Sequence, residues 1–165
     1  MINFELSEGL KNMDLAVASE PSLASTYHLR ASFKLELNDI IGALEDYTKA
    51  IALNPKFHDA YKDRGIIRTQ LENYEGAMAD YNKAIELDPK LPEAHLALSS
   101  VQQSFDWDWG GMETSLLRAY ALRPGDADIM TKLAELKLLQ GKFNEALNDI
   151  EAALAQDPLN ERIQR

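Results

Sequence analysis

Five of the six prolines in this 165-residue chain, Pro21, Pro55, Pro89, Pro124 and Pro158, follow one another at intervals of 34, 34, 35 and 34 residues. Only Pro92 stands outside the series. Proline cannot continue a helix and pushes the residue before it out of helical geometry, so each of the five marks a stop. A constant period of this length means one supersecondary unit copied along the chain. Such a unit cannot bury its apolar face alone and has to stack on the next copy.

The stretch His58 to Leu91 shows what the unit is. In its second half Tyr74, Ala77, Met78, Tyr81, Ala84 and Ile85 recur at steps of three and four, the spacing of one helix face. The first half carries Tyr61, Ile66, Ile67 and Leu71, a helical stripe blurred by charge. Glu72-Asn73 reads as the turn between two helices, and Asp88-Pro89 ends the second. Small residues at Gly65 and Ala77 suit a close crossing of the two helices, and Ala84 suits packing of the next pair.

Tyr61, Gly65, Ala77, Tyr81, Ala84 and Pro89 together resemble a tetratricopeptide repeat, with Arg64 and Arg68 standing where that family usually has Leu and an aromatic residue. The resemblance implies an all-α, right-handed superhelical solenoid of stacked antiparallel helix pairs. It divides a single domain, residues 1–165, into an N-terminal helix at 3–19 and four repeats at 24–57, 58–91, 92–126 and 127–160. Residues 161–165 read as the start of a truncated helix. In the N-terminal helix Leu6, Leu10, Met13, Ala16 and Val17 form the apolar face, and Ser7 is read as a local cap. The third repeat departs most: His95 replaces the first aromatic, Ser99 the Gly, Met112 the Ala and Leu116 the later aromatic. Its extra residue is placed in the turn Phe105–Gly111, where Asp108 is positioned to cap the following helix.

The last third has a narrower resemblance. Asp106-Trp107-Asp108-Trp109, Arg118 to Pro124 and Asp157 to Asn160 are similar to repeats of bacterial transcription regulators and nucleotide-cyclase signalling proteins. Those repeats commonly carry Ala-Glu after the turn, whereas this chain has Gly110-Gly111-Met112-Glu113.

Composition excludes several classes. The net charge is −10 with scattered Lys and Arg, which leaves no basic stripe for a nucleic-acid backbone. There is no cysteine, hence no disulfide framework or thiolate metal site. No apolar run reaches the length of a membrane span, and Met1 to Glu20 lacks the basic start of a signal peptide, so a cytoplasmic protein is expected. His28, His58 and His95 are dispersed, and no phosphate loop, metalloprotease motif or nucleophile motif occurs. No enzyme, cofactor or metal site is expected. His95 reads as an interior or hairpin-boundary histidine satisfied by its surroundings.

Function then rests on shape. By the geometry of the family the inner wall carries Ser25, His28, Ser32 and Leu35 from one first helix and Asp59, Lys62, Ile66 and Thr69 from the next. Glu93, Leu96, Ser100 and Gln103 follow, then Asp128, Thr131, Glu135 and Leu138. A few apolar anchors among small polar groups suit an extended or helical protein segment. The carboxylate clamp of the chaperone-binding subclass is absent, because His28, Ser32, Asp63, Glu93 and Ala97 stand in its places. So is the asparagine series of the sugar-transferase subclass, replaced by Leu29, Asp63, Ala97 and Lys132. Asp59, Glu93, Asp128 and Glu135 tilt the wall acidic, which either selects a basic and apolar partner or merely keeps the chain soluble. Trp107 reads as an anchor exposed in the lengthened turn or as a ring folded over Phe105 or Met112, and Trp109 as a core aromatic. The sequence is thus read as a non-enzymatic protein-interaction scaffold. Two further readings stay open: the sensory or regulatory arm of a larger bacterial signalling or transcription-regulating protein, and a structural module self-assembling through ends at which Leu147, Ile150 and Leu154 find no cover.

Overall fold

The computed structural model describes residues 2–106 and 108–156; Trp107, Pro158 and the helix expected at 161–165 lie outside the described residues. Every described element is helical. They run α1 Ile2–Ser19, α2 Ala24–Glu36, α3 Ile40–Leu53, α4 His58–Gln70, α5 Tyr74–Leu87 and α6 Pro92–Val101, then a π-helical turn Gln102–Asp106, α7 Trp109–Leu122, α8 Ala127–Leu139 and α9 Phe143–Gln156. The chain forms two compact units, Met1–Asp88 and Pro89–Arg165. In the first, α2 packs on α3 and α4 on α5, with α1 against α2 and α3 against α4. In the second, α6 packs on α7, α8 on α9, and α7 against α8. No described helix is long and apolar enough to cross a membrane.

Small residues set the distance between paired helices. Ala31, Ala43, Ala50, Ala77 and Ala84 have no exposed surface, and the rings of Tyr47 and Tyr81 fill the space they leave. A Cβ on Gly65 would stand 2.6 Å from the Tyr81 ring, so only glycine admits that ring at this depth. In the second unit Met112, Leu116 and Ala119 meet Ile129, Leu133 and Leu136, and the half-buried Leu96 and Trp109 pack against them. Burial of a single such leucine contributes about 1.5–3 kcal/mol, so stacking supplies most of the stability.

The ends of the helices repeat as well. Asp39, Asn73 and Asp108 cap α3, α5 and α7 by accepting from the N–H of Gly42, Gly76 and Gly111 at 3.0, 3.1 and 2.9 Å. Each fills one of the orphan donors that a helix start leaves. After α2, α4 and α8 the backbone turns through the left-handed region at Asn38, Glu72 and Gly141, with φ of 63°, 58° and 75°. The third pair is different. The chain does not leave α6 through such a residue but winds on into the π turn Gln102–Asp106, which takes up the extra residue expected in the Phe105–Gly111 turn. Ser7 is not a cap either, because α1 already begins at Ile2 and Ser7 lies within it.

A polar contact locks each pair. Lys34 Nζ lies 2.8 Å from Asp46 Oδ2, Arg68 Nη1 2.8 Å from Asp80 Oδ2, and Lys137 Nζ 2.7 Å from Asp149 Oδ2. In the third pair Ser115 Oγ donates to Gln102 Oε1 at 3.0 Å, a neutral version of the same contact. Arg30 adds a fork on Asp46 at 2.7 and 2.6 Å, and Arg64 one on Asp80 at 2.9 and 2.7 Å. Their remaining nitrogens reach back to the preceding second helix, Arg30 to Asp14 at 3.0 Å and Arg64 to Thr48 at 3.4 Å. Asp14, Arg30 and Asp46 therefore tie three successive helices together.

Asp46 and Asp80 are almost fully buried, so these contacts matter most when one partner is removed. Replacement of Asp80 by Asn strands Arg64 and Arg68 beside a neutral group. A loss of about 3 kcal/mol is expected in chemical denaturation, against less than about 1 kcal/mol for Asp14→Asn at the exposed end. The same chemistry sets an acid limit. Burial works to raise the Asp46 carboxyl, but hydrogen bonds from Arg30 and Lys34 and their charges hold it below its ordinary value. A carboxylate depressed in the folded state lends stability above its unfolded pKa, and that stability drains as pH falls through the folded one. The thermal midpoint should therefore drop below about pH 4, and Asp46→Asn, less stable at pH 7, should show a smaller drop on acidification.

Candidate functional site: the wall of first helices

In the first unit the wall expected from sequence comes from α2 and α4, and most of its polar side chains have partners within the unit, while Ser25 is exposed. His28 Nε2 lies 2.8 Å from Asp63 Oδ2 across the two helices. Its ring stands between Tyr47 and Phe57, with centroids 5.2 and 4.8 Å away. Lys62 Nζ reaches Asp63 at 3.2 Å and Asp59 at 3.9 Å. Burial would raise the Asp63 carboxyl, yet the hydrogen bonds from His28 and Lys62 hold it below its ordinary value. Ser32 bonds the His28 carbonyl at 3.2 Å and meets the Tyr47 hydroxyl at 3.2 Å. Thr69 does the same with the Gly65 carbonyl and the Tyr81 hydroxyl, both at 3.0 Å. Leu35 is packed into the core cluster, which leaves Ile66, 40% exposed, as the accessible apolar residue of that set.

The second unit offers more room. Leu96 and Ser100 from α6 and Asp128, Thr131, Lys132 and Glu135 from α8 line a pocket of about 230 Å³. Beside it Gln103 of the π turn, Glu135, Leu138 and Leu139 line a second, more open depression of about 380 Å³. Glu135 lines both, so the two lie side by side along α8; together they are termed the α6–α8 trough. Inside it Lys132 Nζ donates to Glu135 at 3.0 Å, Thr131 to the Ala127 carbonyl at 2.7 Å and Ser100 to the Leu96 carbonyl at 3.2 Å. Leu138 and Leu139 are 43% and 58% exposed. Glu93, counted among the wall acids, is paired with Arg123, whose guanidinium also holds Asp126 at 3.3 Å. Two other hollows, on α3 around Leu44 and Thr48 and on α1 around Lys11 and Leu15, are each lined by one helix and bring no second element to a ligand.

The inner-wall series read from the sequence leaves out Asp63, Lys132 and Leu139, although Asp63 and Lys132 stand where other subclasses of the family bind their ligands. Lys132 carried a signal, lying three residues before Glu135 on one helix, the spacing of an ion pair. Leu139 carried another, because Glu36, Gln70 and Ser104 hold its place in the earlier repeats. His95 is buried, with Nε2 3.2 Å from the Pro89 carbonyl oxygen, as an interior histidine should be. Among the described residues no group of three or more His, Asp and Glu side chains gathers as metal ligands would.

Comparison with known proteins bears on the fold that carries this wall. Residues 24–57 match a family model described as "Tetratricopeptide repeat", residues 65–104 one described as "TPR repeat", and residues 127–155 one described as "SHNi-TPR". No curated sequence matches the chain. Among solved structures, the crystal structure of MamA is similar at a TM-score of 0.84 and 15% identity, over 95% of this chain and 91% of that one. YrrB, described as "a TPR protein with an unusual peptide-binding site", is similar at 0.78 and 18%, over 97% and 82%. TTC0263, a thermophilic TPR protein of Thermus thermophilus, is similar at 0.75 and 24%, over 96% and 87%. At these identities the likeness is one of fold, an all-α solenoid of helix pairs. The period, the paired helices and the three family matches lead to one conclusion: the chain belongs to the tetratricopeptide-repeat family.

Proposed function

We propose that the chain is a non-enzymatic protein-interaction scaffold that holds a segment of another protein in the α6–α8 trough of its second unit. The observation that carries this reading is the coincidence of a real concavity with Leu96, Ser100, Asp128, Thr131 and Glu135, five residues assigned to the inner wall from sequence alone. The α2–α4 wall differs, since His28 of α2 pairs there with Asp63 of α4 across the two helices, and Lys62 joins that pair. The peptide-binding site described for YrrB, which is similar in fold, agrees with the reading.

The trough also narrows the partner. Leu96, Leu138 and Leu139 offer apolar contact, and Asp128 and Glu135 outnumber the single cation Lys132. An extended or helical segment with a bulky apolar residue and a neighbouring Lys or Arg fits that lining. Selection from a displayed random-peptide library tests this without knowledge of the natural partner. Selected peptides should be enriched in Lys or Arg beside Leu, Ile, Phe or Met, and should bind less tightly as salt rises. Leu138→Glu with Leu139→Glu, both at exposed positions, should weaken binding roughly tenfold or more, with helical content retained. Peptides that bind the double variant as tightly as the wild type would place the working surface elsewhere.

A further inference from the structure

The doubled glutamine Gln102-Gln103 sits at the one place where the chain breaks its own period. The locking contact joins a first-helix residue to a second-helix residue 12 positions later in Lys34–Asp46, Arg68–Asp80 and Lys137–Asp149. In the third pair the contact is Gln102–Ser115, 13 positions apart, and the surplus residue is absorbed by the π turn that begins at Gln102. The residue 12 positions before Ser115 is Gln103, which bears the same side chain. We infer that the α6–α7 pair has two interchangeable registers, in which Gln102 or Gln103 takes the place opposite Ser115.

The other pairs cannot do this. Lys34 is flanked by Phe33 and Leu35, Arg68 by Ile67 and Thr69, and Lys137 by Leu136 and Leu138. A one-residue slip there would break the ion pair of Lys34, Arg68 or Lys137 and bring an uncharged side chain opposite the carboxylate. Arg30 and Arg64 would still hold Asp46 and Asp80, but the displaced cation would lose its partner, a cost that no identical neighbour offsets. In the third pair the slip exchanges one neutral amide for an identical one against a hydroxyl. Both registers keep one π turn; Gln103 is the surplus residue in the present one and Gln102 in the other. Leu98, Ser99 and Val101, buried in the helix upstream, keep their places in both. A π turn inside an α-helix is the defect that moves by such a step, and these turns gather at functional sites.

The exchange alters the trough. In the register described here Gln103 lines the depression with Glu135, Leu138 and Leu139. In the other its amide turns to Ser115 and leaves that wall. Any ligand that bonds the Gln103 amide therefore draws the pair toward the present register by its difference in affinity for the two. This last step rests on the function proposed above; the two registers do not.

Alanine substitution separates the alternatives. With interchangeable registers, Gln102→Ala and Gln103→Ala each lower the thermal midpoint by about 1 °C or less, because the remaining glutamine serves Ser115. The double variant then loses clearly more than the sum, about 2–4 °C for one lost hydrogen bond in a chain of this size. Backbone relaxation dispersion over residues 102–106 should be present in the wild type and vanish in both single variants, which a static contact would not cause. Three results overturn the inference: a loss in Gln102→Ala equal to that of the double variant, single losses that simply add, or no loss in any of the three. Each result leaves the proposed function standing, since peptide selection is read independently; failure of that selection leaves the registers standing.

Discussion

A pair of antiparallel helices has an apolar edge on each side and no interior, so this chain depends on holding each pair in one register while it stacks. Small residues such as Ala31, Ala43 and Ala77, and Gly65 under the Tyr81 ring, set how close the helices come, but small residues slide as easily as they touch. The fixed point is a side chain at one place on the first helix reaching one place on the second: Lys34 to Asp46, Arg68 to Asp80, Lys137 to Asp149. A buried ion pair adds little net stability compared with an apolar pair of the same shape. Its value lies in what happens on slippage, when a displaced cation that has lost its partner makes every wrong register expensive. Arg30 and Arg64 extend the fixed point to the helix before, so that register within a pair and stacking between pairs are set together.

Much of this was legible in the sequence. The proline period gave the unit, the steps of three and four from Tyr74 to Ile85 gave the second helix, and the acid of Asp108 before Trp109 gave a cap that the geometry confirms at 2.9 Å. Arg64 and Arg68 were legible only as departures from an apolar pattern. Their meaning appears when Lys34, Arg68 and Lys137 are set beside Asp46, Asp80 and Asp149, a second periodic series written in charge rather than in hydrophobicity. The π turn was not legible, because an extra residue between two helices fits a longer turn or a wound-out helix end equally well in one dimension. Ser7 misled for a similar reason: a serine before an apolar stripe marks a start only if no helical turn precedes it, and here α1 has already begun.

The wall was legible in position and not in state. Sequence places His28, Ser32, Lys62 and Thr69 on first helices, but whether their polar atoms face a ligand or one another depends on side-chain geometry across helices. In the first unit His28 and Asp63 close on each other, and Ser32 and Thr69 each bond a tyrosine hydroxyl that spacing alone could not bring to them. The acidic tilt is likewise partly cancelled, with Glu93 held by Arg123 and Glu135 by Lys132. What stays open is the α6–α8 trough, where the leucines of α8 stand beside a carboxylate and an amide. The least locked pair of helices therefore forms one side of the most open wall.

Amide hydrogen exchange, followed for the chain alone and saturated with a library-selected peptide, tests the central claim most directly. The account predicts slower exchange on α6, on the π turn and on the Asp128–Leu139 stretch of α8, with α1, α3 and α7 unchanged. Slowing confined to α1, α3 or α7, or a bound peptide that slows no amide of α6 or α8, would contradict it.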